Sequence, residues 1–354
     1  MKGKGKSVLS YYLTNLIIKN GKPYNVEDWK GMMAKRLIKW GFNSQGAFGS
    51  PGRQTKALNF PYTPSLPIQK WWIPSVAGGT FDPYDKAIRK KVDEMFKKHV
   101  APYANEPLII GYFIANEQHY SDIPRYLPQL SGKNAVKHEL IKFLENKYSS
   151  VNAFNEAWKV NAKSFASAVN MSLPVNSKAA WKDMSVFTEK YLDEYFKIIH
   201  NTFRKYDKNH LIIGARFLPA MVNMEAAAIT CAKYSDIFSV HYYTEAIDEE
   251  FLVRVHALTG KPLLLSEWSF GTSEQGLAGG CRDVADQYIR GCAYRNYIEQ
   301  SAMLPFVVGV QWFACIDQAL TGRWFQKYNG ENMNIGLINV ADRPFKKFLT
   351  EVMK

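Results

Sequence analysis

LIIGYFIANEQHY, residues 108–120, is the stretch on which the fold turns. Positions 108–114 form a largely apolar run without helical spacing. Such a run reads as a strand covered on both faces. It stops at Ala115-Asn116-Glu117. Ionised carboxylates are seldom left inside proteins without a partner. Glu117 is therefore either the first solvated residue after a core strand or a carboxylate kept there for chemistry, and the rest of the chain has to separate the two.

Upstream, Asn25 is placed to cap a helix, with Asp28 three residues on. Val26, Trp29, Met33, Leu37 and Trp40 then recur at helical spacing, and Gly41 ends the run. Phe42-Asn43-Ser44-Gln45-Gly46 reads as a short strand entering a loop, and 67–73 (PIQKWWI) as the next strand, before a helix over about 83–99. Downstream, a long helical region fills roughly 135–205 with a break near Ser172-Leu173-Pro174. Four more apolar runs, 211–216, 237–242, 262–267 and 306–313, alternate with helical patterns.

Seven strand-like runs separated by helices predict a parallel sheet and favour an α/β fold of the (β/α)8 TIM barrel type over a doubly wound sheet. No glycine-rich phosphate fingerprint follows the early strands. The remaining strand, first in order, is hard to find. Positions 8–13 (VLSYYL) are the candidate, so the first strand is expected to be short, irregular or missing. No repeat or low-complexity linker divides the chain, which predicts one catalytic barrel domain over 1–354.

Composition narrows the function. Hydrophobic residues make up 47% and charged ones 22%, enough to build a soluble core. Nine Trp and twenty Tyr are many, and aromatic faces stack on flat ligands such as sugar rings. A net charge of +13 raises nucleic acid as a partner, but Lys and Arg are scattered along helical patterns with no nucleic-acid-binding motif beside them. No membrane partner is expected, since no apolar run approaches the ~18 residues of a span. The four cysteines show no CxxC spacing and read as buried thiols. There is no HExxH, EF-hand loop or His/Cys cluster, so neither a metal nor another cofactor is expected. The N-terminus has a basic start but a poor secretion signal, and oligomeric state is not legible.

In a (β/α) barrel the active site lies at the C-terminal strand ends. Here those ends carry Asn43 and Gln45, Trp71 and Trp72, Asn116 and Glu117, Arg216, His241 to Tyr243, Glu267 and Trp268, and Trp312. Carboxylate, amide, guanidinium, imidazole and aromatic rings are a vocabulary for sugars. Glu117 and Glu267 end strands three apart in order and are expected on facing sides of the barrel mouth. Retaining glycoside hydrolysis needs two such carboxylates, ~5–5.5 Å apart. One must hold its proton while the other stays ionised. Arg216, His241 or a tyrosine is suited to keep Glu267 charged, and Asn116 to grip a hydroxyl beside the bond that breaks. Asp317 fits either a sugar site or a turn cap, and one of Trp71 and Trp72 can face a ligand.

Asn-Glu ending one strand and Glu ending a strand three later resembles clan A of the retaining glycoside hydrolases. The segments 12–21 (YLTNLIIKNG), 36–44 (RLIKWGFNS), 261–272 (KPLLLSEWSFGT), 311–325 (QWFACIDQALTGRWF) and 329–345 (NGENMNIGLINVADRPF) resemble the β-agarases of family 50. The resemblance implies Glu117 as acid/base and Glu267 as nucleophile. It implies that His241, Tyr243, Trp312, Asp317, Gln318, Arg323, Glu331 and Asn332 line or shape the sugar site. It further implies a β-1,4-linked galactan of the agarose type, polymer or oligosaccharide, as substrate, and an extracellular or periplasmic setting. A first barrel strand and an N-terminal β-sandwich precede the matching region in that family, and Ala115 stands where it commonly has Asp. A β-galactosidase or β-glucosidase of the same clan, or an inactive carbohydrate-binding barrel, would share these features.

Overall fold

The computed structural model of the protein describes residues 2–3, 6–7, 10–49, 51–323, 326 and 330–354. They divide into two compact units: Met1–Pro64, Val240–Val253 and Leu263–Lys354 form one, Ser65–Ser239 with Arg254–Pro262 the other.

The first unit opens with two short antiparallel strands, Lys2–Gly3 and Lys6–Ser7, followed by two helices, Tyr11–Asn20 and Val26–Lys39. The candidate first strand over 8–13 is thus helix, not strand, from Tyr11 on. Ser10 Oγ accepts from Leu13 N at 3.4 Å, capping a helix in which Leu16 is buried, while Val8 and Leu9 lie outside the described residues. The second helix begins as its sequence predicts, with Asn25 Oδ1 accepting from Glu27 N (2.9 Å) and Asp28 N (3.1 Å). Its face packs through Trp29, Met33 and Leu37, with Trp40 just beyond, on Leu337, Ile338, Phe345, Phe348 and Leu349. Asp342 ties both helices to this C-terminal stretch, accepting from Tyr12 Oη (3.0 Å), Lys19 Nζ (2.7 Å) and both terminal nitrogens of Arg36 (2.6 and 3.0 Å). Burial alone would raise this carboxyl, but the bonds from Arg36 and Lys19 outweigh it and hold the pKa at about 2.

Two strands of the first unit, Leu263–Trp268 and Val307–Trp312, pair in parallel with the helix Gln287–Ala302 between them. Every residue of Leu263–Trp268 is buried, as its unbroken apolar run predicts. Tyr242 N donates to Glu267 O (2.8 Å), which brings 240–242 alongside. The stretch 42–46 contributes a single parallel bridge, Gln45 to Tyr62.

In the second unit Gly111–Tyr112 and Leu211–Ile212 pair in parallel. Gly111 is required there, because a Cβ would stand 2.5 Å from Leu211 O. The helices Lys86–His99, Ala135–Lys147, Val151–Trp158 and Lys178–Tyr206 surround this pair in sequence, with the break near 172–174 where Pro174 offers no N–H and Ser177 caps the next helix. Met184, Phe187, Tyr191, Leu192, Tyr195, Phe196, Ile199 and Phe203 make a buried stripe along the longest helix. Beside that stripe Asp183 is fully buried and accepts from Tyr148 Oη (2.7 Å), Trp158 Nε1 (2.9 Å) and Lys147.

The expected strand over 67–73 is not one. Pro67 brings no N–H, Ile68 N turns back to Leu66 O (2.9 Å), and Trp72 N and Ile73 N both reach Gln69 O (2.7 and 3.0 Å). Strand pairing falls earlier, where Ser65 bridges Phe113. The cysteines also depart from expectation: Cys231 is buried, Cys292 and Cys315 partly so, and Cys281 is exposed. Among the described residues no helix is long and apolar enough to cross a membrane.

Candidate active site

In the second unit the apolar run 108–114 leads into an unusual backbone. Glu117 has φ 49° and Arg216, on the next strand end, φ 53°. Left-handed non-glycine residues cost on the order of 1–3 kcal/mol and persist only where their surroundings over-determine them. Here Glu117 N points to Arg216 O at 3.4 Å, and Arg216 Nε donates to Asn116 Oδ1 at 2.7 Å. Arg216 is 2% exposed, its guanidinium 4.9 Å from the centre of the Phe113 ring. A guanidinium can only donate, so the Asn116 carbonyl faces it and the amide's N–H groups are turned elsewhere. They suit an oxygen that accepts, such as a sugar hydroxyl.

In the first unit Glu267 stands at the end of its strand, 9% exposed. Tyr243 Oη donates to Glu267 Oε1 at 2.9 Å, and Nε2 of the fully buried His241 lies 3.8 Å from Oε2. Tyr297 Oη fixes the same turn by donating to Tyr242 O (2.8 Å). Trp268 stacks on Tyr297 with ring centres 3.8 Å apart and meets Trp312 edge-on at 4.9 Å. Trp312 turns its indole N–H to Ala314 O (3.2 Å) and Ile335 O (3.1 Å), so the ring offers a wall rather than a donor.

The loop after Val307–Trp312 brings together a second set. Glu331 accepts from Gln318 Nε2 (2.7 Å) and Gln326 Nε2 (3.1 Å) and pairs with Arg323 (2.8 Å), while Gln318 Oε1 accepts from Met333 N (2.8 Å). Asn332 Nδ2 donates to Leu320 O (3.3 Å). Trp324, Phe325 and Asn329 of the sequence blocks quoted above lie outside the described residues. Asn43 is exposed, and Trp72, on a turn rather than a strand end, is 40% exposed with its ring 5.0 Å from His99.

Asp317 takes the capping role. It is 5% exposed and accepts from Gly336 N and Asn334 Nδ2, both at 2.8 Å. Asn334 Oδ1 in turn accepts from Gln287 Nε2 and Thr272 Oγ1 (2.8 Å each), and Gln287 Oε1 accepts from Arg290, which stacks 4.2 Å over Phe348. Burial pushes the Asp317 carboxyl up to about 6 despite these bonds and Arg290. A carboxyl raised on folding binds its proton more tightly in the native state, so its stabilising effect is complete below the unfolded value and is lost as pH rises through the folded one. Wild type should therefore gain about 1 kcal/mol over Asp317→Asn on going from pH 7 to pH 5, read by urea unfolding of both proteins. Parallel stability curves for the two would show that the carboxyl is not perturbed.

Ser239 carried no signal in its local composition yet bridges two strands: its Oγ accepts from Arg216 N (2.9 Å) and donates to Ile213 O (2.6 Å). The clue available was alternation, since Ser239 precedes His241 by two on Phe238–His241.

These sites can be set beside known proteins. The family model described as β-galactosidase, Glyco_hydro_42, matches residues 79–262. β-Agarase B of Vibrio sp. (strain JT0107) is 28% identical over 371 residues, covering 97% of this chain and 38% of its own. A solved exo-β-agarase shares 26% identity at a TM-score of 0.79, covering 97% of this chain and 49% of that one. A solved agarase shares 24% identity at the same TM-score, with 97% and 51% covered. The likeness shows the fold class, the (β/α) barrel of these hydrolases. The chain spans well under half the length of the curated relative and about half of either solved chain.

Proposed function

This chain belongs to the glycoside hydrolase family described as β-galactosidase, and on that footing we propose that it hydrolyses β-1,4-linked galactan chains of the agarose type with retention. The names of its relatives support agarose as the substrate. Glu267 is the nucleophile and Glu117 the acid/base. The observation that carries this reading is the setting of Glu267: a carboxylate at a strand end, one oxygen held by Tyr243 and the other facing His241. Those contacts hold the carboxylate in one orientation at the strand end, as an attacking group requires.

In the first step Glu267 attacks the anomeric carbon while Glu117 gives its proton to the leaving oxygen. In the second, Glu117, now ionised, takes a proton from water as that water displaces Glu267 and releases the sugar. The Asn116 amide, with its carbonyl held by Arg216, donates to a hydroxyl of the reacting sugar. Gln318, Arg323, Glu331 and Asn332 shape the neighbouring sugar positions, with Trp312 as a wall. In the wider proposal the barrel is of the (β/α)8 type, its first strand short, irregular or missing. The protein acts outside the cytoplasm, where a polymer of this size is met.

Incubation with agarose and with 4-nitrophenyl β-galactoside, following the anomeric proton by NMR, tests the reading. Retained β product from agarose is expected. Initial release of the α anomer, or no release from either substrate, rejects it. Turnover of the aryl galactoside alone would point to a β-galactosidase of the same family. Tyr243→Phe keeps the ring and removes the hydroxyl, and should cost ~10-fold in kcat/KM, the scale of one hydrogen bond to a charged group. An unchanged rate would remove Tyr243 from the site.

A further inference from the structure

We propose that Ser239 is a positioning residue for Glu117, acting through the backbone of Arg216. It rests on the reading of Glu117 as acid/base. Ser239 is fully buried and cannot touch a polysaccharide. A buried hydroxyl is costly unless it is hydrogen-bonded, and this one uses both its donor and an acceptor position on the same short segment. Its Oγ accepts from Arg216 N (2.9 Å) and donates to Ile213 O (2.6 Å), and its backbone O accepts from Phe217 N (2.9 Å).

Those three bonds span a kink. Gly214 has φ 61° and Arg216 φ 53°, and a Cβ on Gly214 would lie 2.9 Å from Ser239 N. The kink turns Arg216 O toward Glu117 N (3.4 Å) and Arg216 Nε toward Asn116 Oδ1 (2.7 Å). It also shifts the register. Ile114 N donates to Gly214 O (2.7 Å), yet the next contact joins Glu117 to Arg216, so three residues advance on one strand against two on the other. An extra residue of this kind is a bulge, and a one-residue slip re-aims the side chain that follows. Glu117 takes up that residue in its left-handed conformation. Ser239 thus fixes Arg216, Arg216 fixes the bulge, and the bulge aims the acid/base.

Leaving-group chemistry separates this role from a merely structural one. Cleavage of an agarose oligosaccharide needs a proton on its leaving alcohol, whereas 4-nitrophenolate departs with little help. Ser239→Ala should lose ~10-fold or more in kcat/KM on the oligosaccharide, a fraction of the ~10²–10⁴ that general acid catalysis contributes, and lose several-fold less on 4-nitrophenyl β-galactoside. Ser239→Thr, which keeps the hydroxyl, should restore the oligosaccharide rate. In a crystal structure of Ser239→Ala, Glu117 should leave the left-handed region. Equal losses on both substrates, no loss on either, or an unmoved Glu117 in that structure overturns the proposal while leaving the hydrolase reading intact. A wild-type protein that cleaves neither substrate overturns the hydrolase reading itself.

Discussion

Glu267→Gln should lower kcat on agarose by on the order of 10⁴-fold or more, with substrate still bound and the fold intact. The amide is close to isosteric with the carboxylate, and its oxygen can still accept from Tyr243 Oη, which lies 2.9 Å from Glu267 Oε1. Little packing is disturbed, because the strand end is held by backbone pairing to Tyr242 N and by the Trp268 ring on Tyr297. What disappears is the carboxylate proposed to form the covalent glycosyl ester. Glu267→Gly makes the case sharper: azide placed in the vacated space should attack the anomeric carbon directly and yield a glycosyl azide of inverted configuration. Undiminished turnover by Glu267→Gln, or a retained azide product from Glu267→Gly, would move the nucleophile to another residue.

The two glutamates were legible in the sequence for different reasons. Glu267 closes an apolar run that is buried along its whole length, so the strand and its end coincide with what period and composition predict. Glu117 closes a run of which just Gly111–Tyr112 pairs regularly, and the conformation that aims it left no trace. Left-handed backbone is usually announced by glycine, as Gly214 does here, whereas Glu117 and Arg216 adopt it through hydrogen bonds from residues far away in the chain. The misreading of 67–73 has the same root. Ile68, Trp71, Trp72 and Ile73 are β-branched or aromatic and satisfy a strand composition, and only the turn bonds to Gln69 O show otherwise. Thr272, Gln287, Arg290, Asp317 and Asn334 form one buried polar network, yet they come from separate parts of the sequence and no local pattern pairs them. The helix cap at Asn25, by contrast, is local chemistry and is readable as such.

Glu117→Ala carries the other large effect, and its signature lies in what it spares. Removing the acid should cost ~10²–10⁴-fold in kcat/KM on agarose, because the leaving alcohol must then depart as its anion. On 4-nitrophenyl β-galactoside kcat/KM should change far less, while kcat falls, because the glycosyl enzyme forms without help and then waits for a general base that is absent. Azide needs no base, so it should restore kcat on the aryl substrate and give a glycosyl azide of retained configuration, opposite to the product from Glu267→Gly. The basic limb of the kcat/KM profile against pH, which reports the proton on the acid, should vanish on the aryl substrate. Alanine at this position must still accept φ 49°, so Glu117→Gln belongs beside it: the amide keeps the side chain's length but has no acid to give, and it should match alanine on agarose. Equal losses on both substrates with no azide response would mean that Glu117 holds the loop and that the proton comes from elsewhere.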